Sequence, residues 1–529
     1  MPYAERNKDR IDCLFNWNEK DRLLMLPGAR YRRDNHGRDI VSLPLSWGSC
    51  LALRGMFGAD LRLSETLGTW AAGHKREVID PGMALRSLHS REDAERVANY
   101  DLDNTAGPNL RPFQAIGLTW MMTVKSGALG DEMGSGKTVQ SLSFIDRVTN
   151  ALPALVIVPN SVKRHWARLA PQWAPSAVPY VVDGSAAARR KVLKAAAADP
   201  NALVIINLES VRSFSRLAPY GSIRLKRCQE CDPKSGDDIK SAQCEVHQKE
   251  LNTIGFRTVF LDEAHRIGNP ESKQTRAVWQ VMRQAGVAYR WALSGTIQSD
   301  HFGNLWPVLH AVLPDDFPVK SRAVDRYCLT RDMPIGPPEI IGLNPATRQE
   351  LYNILDPHFR RMLKSVTSPQ LPPVVREVRE VELPAKLKKV YDAVQVGLFG
   401  DLGGGELLIT HSNLTKADRL QRLASSAVEM EKPDEDDVST WRVHMKDPSV
   451  KVDALMDILE DGGYLTGSGP GAAVAGVHKE LVRLVSTRLG DAGIEIVDDR
   501  PDRLALRGGR GFLLQAMADG VPRREVRVE

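Results

Sequence analysis

The chain reads as an α/β protein whose principal part is a doubly wound parallel sheet, and three observations predict this. Short runs rich in Val, Ile and Leu at 154–158, 203–206 and 258–261 suit buried parallel strands, and helical stretches with Arg, Lys and Ala separate them. The loop Gly130-Asp131-Glu132-Met133-Gly134-Ser135-Gly136-Lys137-Thr138 follows an amphipathic helix pattern. Its glycines let backbone N–H groups point at phosphate oxygens, while Lys137 reaches the terminal phosphates and the Thr138 hydroxyl can hold Mg²⁺. Far downstream, Val259-Phe260-Leu261-Asp262-Glu263-Ala264-His265 is an apolar strand ending in two acids. Asp262 suits the Mg²⁺ shell, and Glu263 suits a base that orients and deprotonates water. The two motifs predict binding and hydrolysis of a nucleoside triphosphate. The strict loop pattern has Gly where Asp131 stands.

With 529 residues the chain exceeds one core, so two to four domains are expected. No stretch approaches the roughly 18 apolar residues of a membrane span. The charged Met1–Lys20 stretch lacks a secretory core, so a cytoplasmic location is expected, with no membrane partner. Six cysteines, three of them clustered, fit a reducing compartment better than a disulfide framework. The net charge of +5 permits a polyanionic partner without arguing for one.

Residues 1–105 read as a small α+β N-terminal module. Short strands are expected around Leu26–Tyr31 and Asp39–Leu45, then an Ala/Arg/Glu-rich helical stretch to about Tyr100. Asp101 to Asn109 reads as a linker. The strand–helix alternation occupies 106–314, interrupted by an insertion at 221–256. Residues 315–445 read as a helical linking region, with solvated loops at Gly403–Gly405 and Glu429–Asp437. From 446 to 529, helices are expected at Lys451–Glu460 and Lys479–Leu489 around a flexible break at Gly462–Gly471. The Gly- and Arg-rich tail shows no strand–helix alternation.

An ordered series extends the two motifs. Leu110-Arg111-Pro112-Phe113-Gln114 precedes the loop's helix, Val158-Pro159-Asn160-Ser161 with Trp166 follows the second strand, and Ile206-Asn207-Leu208-Glu209-Ser210 follows the third. Leu293-Ser294-Gly295-Thr296, then Leu305-Trp306, closes the lobe. This series resembles the first, RecA-like motor lobe of superfamily-two helicases with the Asp-Glu-Ala-His motif, and more closely the Swi/Snf-type DNA translocases. There Asp is usual at the position of Asp131. The resemblance implies ATP and Mg²⁺ as cofactors and duplex or branched DNA as partner. Arg111 and Gln114 would bind the nucleotide, Gln114 at its adenine. Gly134, Ser135, Gly136, Lys137 and Thr138 would hold the phosphates and, with Asp262, the Mg²⁺. Lys137, Asp262, Glu263 and His265 would be catalytic. Ser294 and Thr296, with His265, would couple hydrolysis to movement, and Asn160, Ser161 and Asn207 would line the DNA track. The simpler reading of Pro159 and Trp166 is core packing. The family usually has Gly-Thr-Pro-Ile-Gln-Asn where this chain has Gly295-Thr296-Ile297-Gln298-Ser299-Asp300. Arg360-Arg361 and Leu371-Pro372-Pro373 are similar to the joint after the first lobe. Leu26–Tyr31 with Leu43-Pro44-Leu45 resembles the small HepA-related module of annealing helicases, the alternative being an unrelated accessory domain.

The insertion carries Cys228-x2-Cys231-x12-Cys244-x2-His247. Each pair places two donors on one tight turn, and tetrahedral Zn²⁺ takes two such pairs. With almost no apolar residues nearby, metal would hold the segment together. A structural zinc with no open position is expected. Cys13, Cys50 and Cys328 read as packing residues.

The resemblance weakens after about 314. Lys451–Leu455 and Val477–Val482 are similar to the opening of the family's second lobe, yet no Gln-x-x-x-Arg-x-x-Arg-x-Gly-Gln segment follows. Arg500, Arg503, Arg507 and Arg510 have the wrong spacing for transfer as arginine fingers. A partial second lobe is therefore expected. Three accounts fit: a split motor completed by a second polypeptide, a truncated or frame-shifted second lobe, or ATP binding without efficient turnover. The leading functional expectation is a DNA translocase in replication, recombination or repair. The alternatives are a restriction-system motor subunit and an ATP-binding DNA clamp or scaffold. The Ala, Arg, Gly and Asp bias suits a GC-rich bacterium or its phage.

Overall fold

The computed structural model describes residues 2–34, 37–97, 110–217, 226–233, 239, 244–296, 302–333, 338–367, 374–397, 399–403, 406–409, 413–431, 442–461, 473–475, 478–493, 496–498, 503–506 and 523–528. The expected linker 101–109, the 371–373 segment, residues 297–300, the break 462–471, the tail 507–511 and part of the insertion lie outside them. The chain forms two compact units, Met1–Thr367 and Ser368–Glu529.

The first unit opens with a five-stranded sheet: β1 (Tyr3–Asn7), β2 (Arg10–Leu14), β3 (Arg30–Arg33), β4 (Asp39–Pro44) and β5 (Arg62–Leu63), in the order β3-β4-β2-β1-β5. Hydrophobic periodicity does not predict the first two strands, because charged residues mask their alternation. From these two strands Ala4, Ile11 and Cys13 join the core beneath, with Leu23, Leu26, Val41, Leu43, Ala52, Leu53 and Leu67. Helices Glu65–His74, Asp80–Leu85 and Arg91–Val97 follow, in the stretch expected to be helical.

The main sheet contains β6 (Ser126–Leu129), β7 (Ala154–Val158), β8 (Val178–Val181), β9 (Ala202–Asn207), β10 (Thr258–Asp262) and β11 (Tyr289–Leu293). After the hairpin β12 (Cys328–Arg331) and β13 (Glu339–Leu343) comes β14 (Phe359–Arg360), which completes seven strands in the order β14-β6-β11-β10-β7-β9-β8. Every pairing in it is parallel. Leu155 and Ile157 pack into one buried cluster and Val156 and Val158 into another, so both faces are covered. That explains the uninterrupted apolar runs. The sheet takes a strand from beyond residue 314.

In the second unit, among the described residues, Val374–Arg379 pairs in parallel with Arg523–Val528, and the other strands form small antiparallel sheets. The expected helical region 315–445 thus contains several strands as well as helices such as Ala385–Val396 and Asn413–Leu423. Helices Val450–Asp461 and Lys479–Asp491 stand where expected, joined by a core of Val452, Leu459, Val482, Val485 and Leu489. Among the described residues, the strands between and after these helices form a three-stranded antiparallel sheet.

Candidate functional site

The loop from β6 to helix Lys137–Arg147 is shaped by its glycines. Gly134 and Gly136 have φ of +77° and +85°. A Cβ on Gly136 would lie 2.3 Å from Gln114 Nε2, so no larger residue fits beside that amide. Gln114 sits in the first turn of helix Pro112–Val124. Its Nε2 donates to the Ser135 carbonyl (2.8 Å) and its Oε1 accepts the Arg111 N–H (2.9 Å). Arg111 and Gln114 thereby brace the loop from behind. Lys137 Nζ donates to the carbonyls of Asp131 (2.7 Å) and Glu132 (3.2 Å). Burial lowers its pKa, opposed by the negative charges of Asp131, Asp262 and Glu263. Thr138 is half-buried in the helix's first turn, and Ser135 is buried.

Asp131 is fully buried, and burial raises its pKa while the Arg360 guanidinium opposes the shift. Its carboxylate accepts from Gln140 Nε2 (3.2 Å) and the Met362 N–H (2.9 Å). Arg360, also buried, donates to the carbonyls of Leu85 (2.6 Å), Leu88 (2.9 Å) and Phe113 (3.2 Å). Gly130 N–H donates to the Arg360 carbonyl (2.7 Å), and Glu132 accepts the Lys364 N–H (2.6 Å). The phosphate loop is therefore latched to β14 and the segment after it. In the sequence Arg360 stands out only by its place in the series; a charge that acts on Asp131 from 229 positions away leaves no local signature.

Asp262 ends β10 and faces the loop. Its Oδ1 accepts the Glu263 N–H (3.0 Å) and its Oδ2 the Trp166 indole N–H (3.3 Å). Trp166 thus both packs in the core and positions the acid. Burial raises the Asp262 pKa, and the indole hydrogen bond opposes it. Glu263 has φ of +50°, a left-handed conformation that costs a non-glycine residue on the order of 1–3 kcal/mol. That turn aims its carboxylate at the end of β11. There His265 Nδ1 lies 3.0 Å from Ser294 Oγ, 3.3 Å from Thr296 Oγ1 and 3.4 Å from Glu263 Oε2. Thr296 N–H donates to Ser294 Oγ (3.1 Å). The four residues read as catalytic or coupling on either side of this junction form one polar cluster. All stand at the carboxyl ends of neighbouring parallel strands, where open α/β sheets bind ligands.

On the same edge, Asn160 and Ser161 are exposed after β7. Asn207 ends β9, donates to Glu209 Oε2 (2.9 Å) and accepts from Ser210 Oγ (2.8 Å). Arg266 donates to Glu209 (3.2 Å), joining the turn after Glu263 to the turn after Asn207. Residue type and order assign Arg266 no role.

In the insertion, one donor atom each from Cys228, Cys231 and His247 lies within 4.8 Å of the others. His247 Nδ1 is 3.2 Å from Cys231 Sγ. The buried Cys244 stands outside that triplet, but its Sγ accepts the His247 N–H (3.2 Å). Cys231 N–H turns back onto the Cys228 carbonyl (3.1 Å), the tight turn that presents both thiols to one side. Three thiols and an imidazole are a donor set suited to Zn²⁺. Among the described residues no helix is long and apolar enough to cross a membrane.

A family profile described as the SNF2-related domain matches residues 113–432. The "ISWI chromatin-remodeling complex ATPase ISW1" of Saccharomyces cerevisiae is 28% identical over 219 residues, 39% of this chain and 16% of that protein. "Protein CHROMATIN REMODELING 19" of Arabidopsis thaliana is 26% identical over 285 residues, 52% of this chain and 34% of that protein. The chain thus matches no more than about a third of the length of these relatives. A solved structure, "Sulfolobus solfataricus SWI2/SNF2 ATPase core in complex with dsDNA", is 19% identical with a TM-score of 0.36, covering 70% of this chain and 68% of that one.

Proposed function

The chain belongs to the SNF2-related domain family, and on that premise we propose that it is an ATP-dependent translocase acting on duplex or branched DNA in replication, recombination or repair. ATP and Mg²⁺ are the ligands expected of this ATPase domain. The observation that carries the reading is the polar cluster at the carboxyl edge of the main sheet. Lys137 and the acid pair converge on the phosphate loop, and Glu263 shares contacts with His265, which also meets Ser294 and Thr296.

In this reading the N–H groups of Gly134 to Thr138 and the Lys137 ammonium neutralise the phosphates. Thr138 and Asp262 would hold Mg²⁺, which supplies a counter-charge to the transferring phosphoryl group. Trp166 fixes the Asp262 carboxylate. Glu263 orients a water and takes its proton. His265 senses the state of Glu263 and passes it to Ser294 and Thr296. Arg266, through Glu209, carries it on to Asn207, where Asn160, Ser161 and Asn207 would grip DNA phosphates. Arg111 and Gln114, which support the loop, would also contact the nucleotide base. Cys228, Cys231, Cys244 and His247 would hold a structural Zn²⁺ that folds the insertion.

The test is ATP hydrolysis by purified protein with and without duplex and branched DNA. The rate should rise on adding either DNA; a rate indifferent to both would overturn the translocase reading. The small antiparallel sheets of the second unit favour one other reading, an ATP-dependent DNA clamp. In that case ATP would tighten DNA binding while turnover stayed low.

A further inference from the structure

A cleft of about 770 Å³ has a wall that combines the core helices with the insertion. Arg190 comes from helix Ala186–Ala197, Arg212 from helix Leu208–Phe214, Lys226, Glu245 and Lys249 from the insertion, and Lys273 from the start of helix Lys273–Met282. All five cations except the half-buried Lys249 are exposed. The single carboxylate among these six is already engaged: Glu245 lies 3.6 Å from Arg276 and accepts the Lys226 backbone N–H at 3.1 Å. Arg190 pairs with Glu250 at 3.1 Å. Among the described residues, the side chains of Arg212, Lys226 and Lys273 have no ion-pair partner.

We infer that this cleft is a second binding surface for the phosphodiester backbone of the nucleic acid, built by the insertion onto the first unit and continuous with the track at Asn207. Continuity is the first reason. Ser210 donates to Asn207 (2.8 Å) and accepts from Arg189 (2.7 Å), so the helices carrying Arg190 and Arg212 are tied directly to the track. Chemistry is the second. Several cations lining one open cleft attract a repeating anion and gain from the counterions it releases. An acidic peptide would also meet the charges, but the cleft offers it only Leu217 and Ile239 as apolar footholds. The insertion then has a purpose beyond folding: its Cys/His cluster places Lys226 and Lys249, close to Cys228 and His247 in sequence, beside the core helices.

The inference rests on the DNA reading above, so the experiment separates the two. Duplex binding is measured against salt for the full chain, for Arg212→Ala/Lys226→Ala/Lys273→Ala, and for the charge-keeping Arg212→Lys/Lys226→Arg/Lys273→Arg. All three proteins are compared by circular dichroism. The alanine variant should bind more weakly, with the slope of log affinity against log salt shallower by about 1 for each phosphate no longer neutralised, and the charge-keeping variant should restore it. An alanine variant with the wild-type slope overturns the cleft and leaves the DNA reading standing. Wild type that binds no duplex sinks both. Poly-glutamate captured by wild type but not by the alanine variant, with an unchanged duplex slope, would assign the cleft to an acidic protein segment instead.

Discussion

Glu263 is held in a left-handed turn, within reach of His265 and one residue past Asp262, which the Trp166 indole clamps. At this scale each side chain has one separable duty. Lys137→Ala removes the charge facing the phosphates and should abolish nucleotide binding, read by titration with a fluorescent ATP analogue. Glu263→Gln keeps the shape and leaves Asp262 in place, so it should bind ATP as wild type does while turnover falls by about 10²–10⁴. Equal ATP affinity in wild type and Lys137→Ala would remove the basis for both roles. These duties were legible from residue type and order because the phosphate loop and the acid pair are each contiguous in the chain. The clamp on Asp262 was not: a buried Trp is ordinarily core, and nothing local says that its N–H meets an acid 96 positions away.

At the scale of elements, the insertion and the N-terminal module each carry a testable consequence. Protein purified without chelator should contain close to one zinc per chain by metal analysis. Cys231→Ser should lose it, and with it protection of the insertion from protease, because little apolar surface remains to hold the segment. A metal-free protein with a protected insertion would refute the assignment. The N-terminal module meets the main lobe where Gly48 N–H donates to Asp316 (2.7 Å). Burial pushes Asp316 up to about 6, against the opposing hydrogen bonds from Gly48 and Ser46. The unfolded carboxyl titrates near its ordinary value of 3.8, so between about 4 and 6 the folded state holds more protons. Stability is therefore lost as pH rises through that window, with the full penalty above it. Asp316→Asn keeps an acceptor for Gly48 and removes the penalty, worth at most about 3 kcal/mol, less about 1 kcal/mol for the altered bond with Ser46. Denaturant titration should find the variant's advantage over wild type larger at pH 8 than at pH 5. The helices and buried strands of this scale were readable from periodicity. β1 and β2 were not, because charged residues, the buried Asp12 among them, interrupt the alternation of Ala4, Ile11 and Cys13.

Over the whole molecule, the first unit carries every residue proposed for nucleotide chemistry, and the described part of the second is built from small sheets and helices. Without arginines spaced as the family's second lobe has them, charge developing on the γ-phosphate would be under-stabilised. The 529-residue polypeptide assayed by itself should therefore turn over below the ~1–100 s⁻¹ of ordinary phosphoryl-transfer enzymes, even with saturating DNA. A rate within that range would mean that the second unit supplies the missing charge. DNA binding should persist and weaken steeply with salt. The amino-acid sequence by itself determined the phosphate loop, the acid pair, the Cys/His spacing and the parallel α/β class, since each depends on neighbours along the chain or on a short repeat of apolar residues. Only the tertiary structure decided that β14 joins the main sheet, that Arg360 faces Asp131, and that cations from three core helices and the insertion line one cleft. Those outcomes depend on the order in which strands pair and on which distant surfaces then touch, and hydrophobic periodicity carries no information about either.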